Sequence, residues 1–192
     1  MTKNPKRPAV FIDRDGTINV DAGYLADPDE LKIFPWSGRA ISLINKADMP
    51  AIVITNQSGV ARGLCTEADL DAIHHRLRSE LSKSDAHVDA IYYCPHHPEI
   101  GEPPYRYACD CRKPGNGLVL RAAREYNIDL ASSYMIGDKV VDLELALRSG
   151  MHPVLVLTGY GRISQTRIDA LGIEPAFVCE NLLEAVERIV TR

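Results

Sequence analysis

The 192-residue chain is 45% hydrophobic and 25% charged, the balance of a folded domain and not of a disordered one. Its net charge of −4 gives no reason to expect nucleic acid or anionic lipid as a partner, since both select for basic surfaces, and no apolar run approaches the ~20 residues of a membrane span. The start, "MTKNPKRPAV", has basic residues without a signal-peptide core, so the expectation is a cytoplasmic, monomeric protein forming one domain over residues 1–192, its five cysteines kept as thiols or metal ligands.

Along the chain, a strand is predicted at 8–13, followed by a long excursion at 14–37 rich in Gly, Asp and Pro. A helix at 38–47 and a strand at 50–55 come next. The helix at 66–83 opens on Thr66, which can cap its free N–H groups, with Glu67 and Asp69 near the positive end of the helix dipole. A strand at 89–93 leads into a second excursion, 94–116, rich in Cys, His and Pro. The rest alternates: helix 117–127, strand 133–137, helix 140–149, strands 153–157 and 176–178, helix 181–190. Short apolar runs alternating with amphipathic segments specify an α/β fold, a doubly wound parallel sheet flanked by helices. Loops as long as the two excursions are commonly functional.

Ligands of such a sheet gather at the carboxyl ends of its strands. Those ends read "IDRDGT", "ITNQSG", "YYCPHH" and "MIGDK". An Asp-x-Asp pair in a loop is commonplace by itself, but Asp13 and Asp15 follow the apolar "AVFI" directly and precede Gly16 and Thr17, a turn in which backbone amides can approach an anion. Two carboxylates ~4 Å apart repel by about 4 kcal/mol at an effective dielectric near 20. A divalent cation such as Mg2+, which favours oxygen ligands and phosphate, supplies the compensation. Asp13, Asp15 and Asp138 are its candidate ligands, and Asp142, one helical turn after Asp138, can orient that side chain or a bound water. Thr55 offers a hydroxyl to a phosphate oxygen, and "CRKP" supplies Arg112 as a planar fork and Lys113 as a compact charge.

With "DRDGT", Thr55, Lys113 and "GDKVVD" in that order, nearly the whole chain resembles the haloacid dehalogenase-like phosphatase superfamily. The resemblance implies a phosphoric monoester hydrolase in which Asp13 is the nucleophile, Asp15 the general acid and base, and Thr55, Lys113 and Mg2+ stabilise charge.

"CPHH" and "CDC" give Cys94-x-His96 and, after twelve intervening residues, Cys109-x-Cys111. Three thiolates and an imidazole complete a tetrahedral, structural zinc set with no vacant position, His97 being the competing imidazole. Closing that loop would place Arg112 and Lys113 over the carboxylates, and with no large cap domain evident the two excursions must wall a small substrate. Cys65 and Cys179 are expected to be packing residues. Within the superfamily, "DRDGTINVDAGY", "TNQSGVARG", "YYCPHHPE" and "CDCRKP" resemble a branch acting on sugar bisphosphates. That resemblance implies substrate contacts from Asp21, Ala22, Gly23, Tyr24, Thr55, Asn56, Gln57, Ser58, Arg112, Lys113 and Lys139, with Arg112 on the phosphate that stays behind. Histidinol-phosphate phosphatases, which can carry a similar zinc loop, are the alternative. Nothing after Thr158 is assigned to chemistry.

Overall fold

The computed structural model describes residues 5–191. Its strands are β1 (Val10–Ile12), β2 (Ala51–Asn56), β3 (Ala90–Cys94), β4 (Tyr134–Gly137), β5 (His152–Val156) and β6 (Phe177–Cys179). The helices are α1 (Ser37–Lys46), α2 (Glu67–Ser82), α3 (Gly117–Glu125), α4 (Val140–Ser149), α5 (Gly161–Ile168) and α6 (Leu182–Val190). All strands pair in parallel, in the order β3-β2-β1-β4-β5-β6. Chain order therefore reverses beside β1, and the crevice outside its carboxyl end is where a doubly wound sheet binds ligands.

The strands are short and apolar because both faces are covered, and their alternation sorts side chains into two layers. Val10, Ile12, Ala51, Val53, Ile136, Val154 and Val156 pack with Ile41 and Ile44 of α1, Leu70, Ile73 and Leu77 of α2, and Val186 and Ile189 of α6. Phe11, Ile52, Ile54 and Met135 point the other way, against Val119 and Ala122 of α3 and Leu145 and Ala146 of α4. Phe11 is fully buried at the centre of that layer, so truncation to Ala there costs about 3–5 kcal/mol. A smaller cluster of Leu143, Leu155, Ile168 and Ile173 seats α5.

The register Ile12↔Val53 and Ile12↔Ile136 sets the ends of the three central strands side by side. The Asp13 N–H continues the ladder, donating to Ile136 O at 2.9 Å. Helix α2 starts as its cap residues require: Asp69 N–H donates to Thr66 Oγ1 at 3.1 Å, and Thr66 N–H to Asp69 Oδ2 at 2.7 Å. Its buried stripe runs Leu70, Ile73, His74, Leu77, Leu81, in which His74 is the polar exception.

Strands and helices fall within one or two residues of their predicted ends. Helix α5 is the addition: residues 158–168 carry two glycines and mostly polar side chains, and only Gly161, Ser164 and Ile168 of the helix are buried, too thin a stripe to announce itself. The excursion at 14–37 holds a single 3-10 turn, Pro28–Glu30, and 94–116 holds no helix beyond the strand end, so no large cap domain is present among the described residues. Among those residues no helix is long and apolar enough to cross a membrane.

Candidate active site

At the switch point lies a narrow cleft of about 50 Å³, lined by Asp13, Asp15, Thr55, Asn56, Lys113, Lys139 and Val141. Lys113 is its electrostatic centre. Nζ lies 2.7 Å from Asp13 Oδ1 and 2.6 Å from Asp142 Oδ1, and donates to Ile54 O at 3.0 Å. All three ammonium donors are thereby used, which makes Lys113 a fixed charge. Burial alone would push its pKa down, but the two carboxylates outweigh burial and hold it up.

Asp13, Asp138 and Asp142 each present an oxygen within 4.8 Å of the other two. Burial, reinforced by Asp142 and opposed by Lys113, lifts Asp13 to about 6. Burial, with Asp13 and Asp142 adding to it, lifts Asp138 to about 7. One Asp138 oxygen accepts from Tyr160 N–H at 2.7 Å, while the other, Oδ1, is buried without a protein partner. An orphan carboxylate oxygen facing two further acids fits a hard divalent cation of the Mg2+ type. The fit is tight around it. A Cβ at Gly16 would sit 2.3 Å from Asp138 Oδ2 and one at Gly159 2.2 Å from the same atom, and both glycines have positive φ, 87° and 53°. Thr158 Oγ1 closes the wedge by donating to Gly16 O at 2.6 Å.

Asp15, also expected as a magnesium ligand, does not join this cluster. Its carboxylate receives Arg14 Nε at 3.1 Å and Nη2 at 2.9 Å, Asn19 Nδ2 at 2.9 Å and Gln57 Nε2 at 2.8 Å. Burial raises its pKa, but Arg14, Asn19 and Gln57 together outweigh burial and leave it below the ordinary value. Two carboxylates one residue apart are thus held by different partners and pushed in opposite directions.

The remaining predicted contacts divide into cleft walls and supports. Thr55 Oγ1 accepts from Gln57 Nε2 at 2.8 Å, so Gln57 braces both Thr55 and Asp15. Asn56 clamps the Lys113 backbone, accepting from its N–H at 2.9 Å and donating to its carbonyl at 3.2 Å. Ser58 O accepts from Arg62 N–H within the following turn. Lys139 Nζ pairs with Asp21 at 2.8 Å and lies over the Tyr160 ring at 5.1 Å. Ala22, Gly23 and Tyr24 are exposed at the rim, where the Arg62 guanidinium covers the Tyr24 ring. Arg112 donates to His96 O at 3.3 Å. Asp142 does not orient Asp138: it pairs with Lys113 and accepts from Lys139 N–H at 3.0 Å, at the start of α4.

The Cys/His loop converges as its spacing predicted. Cys94, His96, Cys109 and Cys111 present ligand atoms within 4.8 Å of one another, with Sγ–Sγ separations of 3.5 Å (Cys94–Cys109), 3.3 Å (Cys94–Cys111) and 3.0 Å (Cys109–Cys111). His96 Nδ1 lies 3.2 Å from Cys111 Sγ. Tetrahedral zinc with bonds of about 2.3 Å sets sulfurs about 3.8 Å apart, so the cluster is slightly tighter than a zinc site and close to its size. His97 is otherwise engaged, its Nδ1 accepting from Glu99 and Ile100 N–H at 3.1 and 3.0 Å.

Comparison with known proteins places this geometry. A HAD-hydrolase-like family model matches residues 110–185. D-glycero-beta-D-manno-heptose-1,7-bisphosphate 7-phosphatase of Escherichia coli K12 is 43% identical over 153 residues, 79% of this chain and 80% of that one. The Rhodopseudomonas palustris protein of that name is 42% identical over 147 residues, 77% and 82% of the two chains. This chain belongs to the family of these heptose-bisphosphate phosphatases, within the haloacid dehalogenase-like hydrolases. Its fold matches the crystal structure of D,D-heptose 1,7-bisphosphate phosphatase from B. bronchiseptica, complexed with magnesium and phosphate, with a TM-score of 0.83 and 38% identity over 96% of this chain and 98% of that one. The phosphatase's site also depends on residues that pattern reading passed over. Arg14, between the two functional aspartates, is fully buried, and Tyr160 reaches Asp138 through a backbone N–H, which no side-chain pattern reveals. His74 was visible only as a polar residue in an apolar stripe.

Proposed function

We propose that the chain removes the C7 phosphate of D-glycero-β-D-manno-heptose 1,7-bisphosphate, giving the 1-phosphate, as a cytoplasmic step in making nucleotide-activated heptose for surface polysaccharide. The observation that carries the chemistry is the contrast between Asp13, bonded to Lys113 in the acid cluster, and Asp15, held apart by its own donors. The identity above 40% to curated relatives of that name supports the substrate.

An Asp13 oxygen attacks phosphorus, forming the aspartyl-phosphate as the P–O bond to C7 breaks, and Asp15 gives its proton to the departing oxygen. The entering phosphoryl dianion raises the proton affinity of Asp15, since like charge disfavours the carboxylate. Asp15, again a carboxylate, then takes a proton from water as that water's oxygen attacks phosphorus and frees Asp13. The Thr55 hydroxyl donates to an equatorial oxygen, and the fixed charge of Lys113 offsets the negative charge of the transition state while the attacking and leaving oxygens stay in line. Asp13 and Asp138 would hold Mg2+, which offsets the charge of the phosphoryl group and the acids. Cys94, His96, Cys109 and Cys111 would hold a structural Zn2+ that fixes the approach of Arg112 and Lys113, leaving Arg112 for the retained phosphate.

Phosphate release from both C1 anomers of the bisphosphate and from histidinol phosphate tests the reading. The β anomer should be fastest, with label from a 7-phosphate trapped on Asp13 and absent in Asp13→Asn. Preference for histidinol phosphate, or release of the C1 phosphate, would overturn it.

A further inference from the structure

Helix α2 spends one position of its apolar stripe on a histidine, and the side chain it meets is the most deeply buried cation of the site. Arg14 is 1% exposed and His74 7%. One edge of the guanidinium grips Asp15, with Nε at 3.1 Å from Oδ1 and Nη2 at 3.1 and 2.9 Å from the two oxygens. The remaining nitrogen, Nη1, lies 3.2 Å from His74 Nε2. Arginine only donates, so Nε2 must present its lone pair, and the ring is the neutral tautomer with its proton on Nδ1. Burial, then the charge of Arg14, agree with this by pulling the His74 pKa down to about 3. The ring cannot swing away freely: it tilts against Tyr93 at 5.5 Å, and the Tyr93 hydroxyl donates to Glu67 Oε2, in the first turn of the same helix, at 2.7 Å.

We propose that His74 is a positioning residue for proton transfer, fixing the Arg14 guanidinium that in turn aims the Asp15 carboxylate at the leaving oxygen. A leucine would suit the stripe better and would not lose its hydration on burial. What histidine adds is an acceptor without a charge, which satisfies Nη1 and leaves the whole cationic attraction of Arg14 directed at Asp15. A carboxylate there would compete for the guanidinium. Without the acceptor, Nη1 is a buried donor left unpaired, and the fork can rotate off Asp15.

This inference rests on the reading of Asp15 as the acid and base, and the test separates the two. The probe is kcat/KM, which reports the chemistry up to formation of the phosphorylated enzyme, measured on the sugar bisphosphate and on 4-nitrophenyl phosphate. The sugar alkoxide needs its proton in order to leave, whereas 4-nitrophenolate departs without one. His74→Leu should lower kcat/KM about tenfold on the sugar ester and less than about twofold on the aryl ester, a fraction of the ~100-fold or more that a positioned acid supplies. His74→Gln, whose amide oxygen can accept from Nη1, should restore the sugar ester to within about threefold of wild type. His74→Asn, polar but one methylene shorter, should repeat the loss, and this pair decides the matter if the leucine variant does not fold. Equal losses on both esters, no loss in Leu or Asn, or failure of Gln to rescue would overturn the role of His74. Full turnover of the sugar ester by Asp15→Asn would instead overturn the role of Asp15.

Discussion

Replacing Lys113 with Met leaves Asp13 and Asp142 facing each other in a site where their side chains are 5% and 0% exposed. The ammonium sits 2.7 and 2.6 Å from the two carboxylates, so each attraction amounts to about 6 kcal/mol at an effective dielectric near 20. Much of that offsets the desolvation of three charges in the folded protein. What remains on removing one partner of a buried ion pair is about 3–5 kcal/mol of destabilisation. For a chain of this length each kcal/mol moves Tm by ~2–4 °C, giving a fall of about 6–20 °C. The loss depends on pH in a definite direction. Without Lys113 the folded state relieves its acids by taking up a proton, so the pKa of Asp13, already raised to about 6 by burial, rises further above its unfolded value. The folded variant then binds more protons than the unfolded chain, and its deficit grows as pH rises from 5 to 8. Thermal unfolding of wild type and variant in chelator at pH 5, 6.5 and 8 measures it, and turnover should fall by at least ~100-fold. A Tm loss under about 3 °C at pH 8, or a deficit that narrows as pH rises, would refute the central place given to Lys113.

Gly159→Ala puts a Cβ 2.2 Å from Asp138 Oδ2 and 2.7 Å from Gly16 Cα at positive φ. It should cost about 1–3 kcal/mol and weaken magnesium binding; wild-type Tm and affinity by calorimetry would contradict the wedge. Cys109→Ser should lower zinc content in metal analysis and reduce kcat by loosening Lys113, four residues on; unchanged metal stoichiometry would exclude Cys109 as a ligand. Magnesium must displace protons held by Asp13, raised to about 6, and Asp138, raised to about 7. Its affinity should therefore climb from pH 5 to about 8 and then level off, with proton release on binding; a flat profile by titration calorimetry would remove these acids from the ion's site.

Much of this architecture was legible because burial on two faces leaves a simple mark. Runs such as "AVFI" and "AIVIT", short and bounded by turn residues, suit strands covered on both faces, and Asp13 sits where the first of them stops. The zinc-type cluster was equally plain, since four soft ligands in two close pairs have few other uses. Partners joined through space left weaker marks. Arg14 reads as an ordinary surface cation until the fold buries it, and nothing local ties it to His74, 60 positions away. The spacing of Asp15 from Asp13 does not say which way its carboxylate turns, and the fold turns it toward Arg14, Asn19 and Gln57. Helix α5 was missed because its buried stripe is only Gly161, Ser164 and Ile168, and Gly159 and the Tyr160 N–H, which serve the site, lie just before it.

The contact between Thr158 and Gly16 spans 142 positions, which bears on how the molecule comes into being. An emerging polypeptide displays Asp13 and Asp15 almost at once, with Arg14 and Asn19 beside them, yet Lys113, Asp138 and Thr158 arrive only after more than half of the chain has been synthesised. Until then Asp13 lacks the Lys113 ammonium that it pairs with in the folded protein, so the complete site forms only near the end of synthesis.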